Sequence, residues 1–154
     1  MRPLFYLAAF AVFTLVAGCG YAAKFGLSGK SVKYDERLTG DFVSGDTKLS
    51  IKKIDDYRVH VDYFKPDELD DEKVKGVGRF VMLGDKLFAE VKEDDVYYIV
   101  KVLAVSGKTI NINILDTEDM PENTEFSSTD DFTHFVQHEQ GLFSKSFNRK
   151  FQRR

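Results

Sequence analysis

His134 and His138 stand four residues apart in a stretch with helical periodicity, a spacing that can present two imidazoles to one metal ion. Asp130, one turn earlier, could add a third ligand. Both histidines fall opposite the Phe132, Phe135 and Val136 face, and no His-x-Glu or cysteine pattern accompanies them. The polar side of a surface helix accounts for the pair, so no metal site is expected. The carboxylate pairs Asp55-Asp56, Asp70-Asp71 and Asp94-Asp95 sit in turns and loops. Acid–base catalysis needs environments that drive two pKa values apart, and solvent keeps both members of such pairs ionised. The loop over 65–72 is acidic but lacks the spaced aspartates and glycine of a calcium loop. No Gly-x-Ser-x-Gly occurs. Gly76, Gly78 and Gly84 lie on or beside a strand, where glycine marks bends or close packing, and no strand–helix–strand unit surrounds them. The chain reads as non-enzymatic and without a cofactor.

Cys19 is the one cysteine, and its surroundings give it a chemistry. Arg2 is followed by the apolar run Leu4–Val16 and by small Ala17 and Gly18, the order of a secretory signal. The run is too short to span a bilayer as a helix, which takes roughly 20 residues. Val16-Ala17-Gly18-Cys19 resembles the lipobox of bacterial lipoproteins. That resemblance implies removal of residues 1–18 and transfer of a diacylglyceryl group to the Cys19 thiol, usually followed by acylation of the new amino terminus. Two or three acyl chains anchor stably, at about 0.8 kcal/mol per buried CH₂. Gly20 in place of an aspartate resembles the route to the outer membrane, with the protein facing the periplasm. No thiol is left for a disulfide in that oxidising compartment, so the fold must rest on burial.

Residues 19–34 read as a lipidated flexible tether. They are rich in small residues, with Lys24, Lys30 and Lys33 placed to meet anionic headgroups or solvent. Residues 35–143 have the composition of one folded domain. All 25 Asp and Glu fall between Asp35 and Glu139, against 13 Lys and Arg over residues 34–144, a balance of −12. Residues 144–154 reverse the sign and read as a basic, solvated tail. An exported acidic domain argues against nucleic acid as a partner.

Period-two alternation dominates the domain, the mark of half-buried strands. Tyr57, Val59, Val61 and Tyr63 share one face, as do Ile110, Ile112 and Ile114. Strands are predicted at 38–43, 47–54, 57–64, 73–83, 86–92, 96–105 and 109–115. The run 96–105 is apolar on both faces and is expected to be the central, most covered strand. Short turns between the runs imply antiparallel neighbours. A helix is predicted over 129–140, capped by Ser128 or Thr129 and stopped by Gly141, with Leu142 and Phe143 folding back. The fold class is mostly β: a small antiparallel up-and-down barrel or half-barrel with one C-terminal helix.

Gly40-Asp41-Phe42 on the first strand, followed by a meander and a helix, resembles the lipocalin-like superfamily, which commonly carries Gly-x-Trp there. The resemblance covers 36–140 and implies a barrel that binds an apolar ligand or another protein. Tyr57, Val59, Val61, Tyr63 and Phe80 are the candidates to line its interior. The expected function is a non-enzymatic envelope lipoprotein binding an apolar small ligand or a partner protein. The alternative is a periplasmic inhibitor or immunity-type protein acting on an enzyme through its acidic face.

Overall fold

The computed structural model describes residues 22–118, 120, 121, 124–138, 140–145 and 148–154. The expected signal over 1–18 and Cys19 lie outside the described residues. Among the described residues no helix is long and apolar enough to cross a membrane.

The meander folds as its alternation demands. Seven strands follow one another: β2 (Gly40–Ser44), β3 (Thr47–Lys53), β4 (Arg58–Lys65), β5 (Glu72–Leu83), β6 (Lys86–Glu93), β7 (Val96–Val105) and β8 (Thr109–Ile114). Each pairs antiparallel with the next. A two-residue strand, β1 (Ala22–Ala23), precedes them and pairs with the start of β7. Helices α1 (Thr129–His138) and α2 (Gln140–Lys145) follow, and Gly141 lies inside α2 rather than ending the helical region.

The eighth barrel strand is β9 (Asn148–Arg153), which enters between β2 and β8 and closes the sheet. This corrects the reading of 144–154 as a solvated tail. Only Phe151 along this strand is apolar, so periodicity gives little sign of it, yet Phe151 is wholly buried in the barrel. Arg149 and Arg153 share its face. Arg149 donates to the Thr47 hydroxyl. Arg153 donates to the carbonyls of Gly107 (2.9 Å), Thr39 (2.8 Å) and Arg37 (2.7 Å) and lies 4.7 Å from the centre of the Phe42 ring. Gly40 has φ +135°, and a Cβ there would collide with the Arg153 guanidinium. Gly-x-Phe and Arg153 are thus one packing unit. Gly76 is a second close approach, where a Cβ would strike the Lys92 carbonyl.

Two apolar cores result. The inner one fills the barrel with Phe42, Leu49, Ile51, Val59, Phe80, Ile110 and Phe151, and Tyr34 and Leu38 join it. Leu38 sits on a 3-10 turn (Glu36–Leu38), and the Tyr34 hydroxyl donates to the Asp55 carbonyl at 3.1 Å. The outer core lies on the other side of β5–β7, where Val81, Leu83, Phe88 and Ile99 meet Phe132, Val136, Leu142 and Phe143. A closed sheet has no central strand, so the expectation that 96–105 is the most covered strand fails. Coverage follows the second layer, which reaches Ile99 but leaves Leu103 and Ala104 exposed beside a break in register between Val102 and Ala104.

The segment 22–34, expected to be a flexible tether, is a strap bound to the outer wall. Leu27 is 2% exposed. Its amide donates to Glu90, while Arg79 donates to its carbonyl and to that of Gly29 at 2.9 Å. Arg79 and Glu90 pair at 2.5 Å. Ser28 N–H donates to Thr133 Oγ1 at 2.7 Å and Val32 N–H to the Phe80 carbonyl at 2.8 Å. Backbone polar groups leaving water must find partners, and the Arg79–Glu90 pair supplies them along an otherwise apolar wall.

Candidate functional site

Of the residues proposed to line the interior, the barrel gathers four. Val59 (1% exposed), Val61 and Phe80 are buried in the inner core, and Tyr63 packs against it. Phe80 lies 5.3 Å from the Tyr34 ring. Tyr57 does not join them, being 51% exposed. The Asp55 carboxylate accepts the amides of Tyr57 (2.9 Å) and Arg58 (2.8 Å), so the chain is still turning at 57 and the alternating face begins at Arg58. The four inward residues pack against one another and their neighbours.

A groove of about 460 Å³ lies outside the barrel, within the range of small-ligand sites. Three segments build its apolar wall: the strap gives Ala22, Ala23 and Phe25, the β8–α1 connection gives Met120 and Phe126, and α1 gives Phe132. Phe132 is buried at its base, while Phe25 and Phe126 are half-buried. The three rings form a cluster, with Phe126 and Phe132 5.1 Å apart at 74°, and Phe25 at 6.4 Å from Phe126 and 6.2 Å from Phe132. Phe126 meets both other rings edge to face, an arrangement aromatic quadrupoles favour, while Phe25 and Phe132 are tilted at 35°. Lys24 and Glu125 border it. Sequence reasoning does not reach this site. Its parts are far apart in the chain, and the one available signal is that Phe25, Met120 and Phe126 are large apolar residues in segments without strand or helix periodicity.

The histidine rings stack, with centroids 4.0 Å apart, and His138 Nδ1 bonds to the His134 carbonyl oxygen at 2.7 Å. Among the described residues no group of three His, Cys, Asp or Glu is placed to hold a metal ion. Asp35, Asp55 and Asp56 are held below the usual carboxylate range. The causes are hydrogen bonds from Arg37 to Asp35, from the Tyr57 amide and Arg58 to Asp55, and from Lys53 to Asp56, with the charge of Lys33 beside the last. All three are solvated and structural.

The charge balance also changes once strap and final strand join the folded unit. The 22 Lys and Arg of the chain, less Arg2, face 25 acids over residues 22–154, a balance of −4. The basic residues of β9 sit in the same barrel as the acidic loops. The chain matches no family model, no curated protein and no solved structure.

Proposed function

We propose that this chain is a non-enzymatic envelope lipoprotein whose barrel carries an apolar chain in the groove on its outer wall. In this reading residues 1–18 direct export, lipid on Cys19 anchors the protein, and the barrel faces the periplasm from the outer membrane. Kinship with the lipocalin-like superfamily is part of the proposal and rests on Gly40-Asp41-Phe42 and the strand order. The observation that carries it is the groove itself. It is open, about 460 Å³, and walled by Phe25, Met120, Phe126 and Phe132, whereas the barrel interior is occupied by the protein's own side chains. A ligand of this protein therefore sits between strap and helix rather than in the lumen.

The test uses full-length Cys19→Ala, which carries no covalent lipid, purified from the envelope fraction of the cells that make it for native mass spectrometry. A retained lipid-like mass is expected, and Phe126→Asp in the same background should lose it. A co-purifying protein in place of lipid would favour the partner-protein reading, and a bare chain would remove the ligand.

A further inference from the structure

Ala22 and Ala23, three and four residues after Cys19, line the groove. Ala22 is the first described residue and is part of the groove wall. Cys19 precedes it by three residues, which can span at most roughly 10 Å. A chain attached to the Cys19 sulfur therefore starts within reach of the mouth. The strap, moreover, is not free to carry that sulfur away. Ala22 and Ala23 pair with Tyr98 and Tyr97, and Leu27 is locked to Glu90 and Arg79. Gly26 tightens the hold, since a Cβ there would come within 2.7 Å of Glu90 Oε2 and 2.8 Å of the Tyr97 ring. The groove that Ala22 helps to line offers the apolar side chains of Phe25, Met120, Phe126 and Phe132.

We infer that one acyl chain of lipidated Cys19 lies in this groove of its own molecule, between the strap and the Phe126–Phe132 corner. This rests on the lipidation and groove readings above and names the occupant. The remaining acyl chains stay in the bilayer, so the strap face of the barrel is held against the membrane at short range.

The experiment feeds cells a diazirine-bearing fatty acid of palmitate length, irradiates them, and maps cross-linked peptides of the mature protein. The expected product is a monomer in which the Cys19 peptide is joined to a peptide covering residues 120–132. Thr124→Trp and, independently, Glu125→Trp fill the groove from the exposed connection. Each should lower that product at least five-fold while leaving the acylated mass of the Cys19 peptide unchanged. Joining only in a dimer, joining only to phospholipid, or indifference to both tryptophans would each overturn the inference. In Cys19→Ala the same probe is free in the bilayer. Labelling of 120–132 there, without the wild-type self-link, sinks the inference and keeps the groove as a ligand site. Absence of labelling in both sinks the two together, and an unacylated wild-type Cys19 peptide sinks the lipidation reading.

Discussion

The two halves of the barrel wall use the same alternation to different ends. On β3 and β4 the inward residues are Leu49, Ile51, Val59 and Val61, and the outward ones are Lys48, Ser50, Lys52, Arg58 and His60. That wall is covered on one face. On β5–β7 the inward residues are of the same kind, but Val81, Leu83, Phe88 and Ile99 point outward under the strap and helices. That wall is covered on both. The period of a strand fixes which residues share a face, while the chemistry of the outward set decides whether a second layer must arrive. The phenylalanine-walled groove lies on the doubly covered side, where strap, connection and helix meet over an apolar sheet.

The sharpest way to break this comparison is to truncate one phenylalanine on each side of the sheet. Phe88→Ala and Phe42→Ala remove side chains that are 0% and 1% exposed and should each cost about 3–5 kcal/mol, read from urea unfolding. Only Phe88→Ala should also speed hydrogen exchange in the strap amides of residues 25–29. Equal protection of the strap in both variants would mean that the outer layer does not depend on the outer core.

A smaller effect is expected from Glu90→Gln. Glu90 is 7% exposed and serves both Leu27 and Arg79. Its neutralisation should cost about 1–3 kcal/mol, as for a buried partner left incompletely satisfied. The loss should appear as a loosened strap with the barrel intact, monitored by amide exchange on Leu27 against Phe42. A uniform loss across both amides would contradict a clamp specific to the strap.

The singly covered wall should instead respond to acid. Asp55 titrates below its unfolded value because the Tyr57 amide and Arg58 bond its carboxylate. A depressed folded-state pKa contributes stability that is present above about pH 4 and is lost as pH falls through the lower folded value. Asp55→Asn should therefore flatten the decline in unfolding midpoint as pH falls below about 4, measured by circular dichroism. The effect is small, since the carboxylate is partly exposed and solvent screens it. Smallest of all, Lys52→Ala on the outward face of β3 should stay within about 0.5 kcal/mol of the parent.

The strand meander was legible because alternation and turn residues act locally. All seven predicted strands form, with ends displaced by at most two residues. Two segments escaped the same logic. The strap has small residues and lysines and no period, so its binding is invisible until Glu90 and Arg79 are placed beneath it. The final strand carries one buried ring among charges, and Arg153 gains its role only when Gly40, Phe42 and Gly107 converge on it. Tyr57 failed for the opposite reason: the alternation ran one residue too far, into a turn held by Asp55.

The sequence by itself determined the antiparallel meander and, Tyr57 apart, the proposed residues of its inner face, because each depends on neighbours a few residues apart. The tertiary structure decided that the barrel closes through residues 148–153, that 22–34 is bound rather than free, and that the open apolar space lies outside the lumen. Those outcomes depend on which surfaces remain uncovered after the sheet curls, a property of distant segments meeting that no local period records.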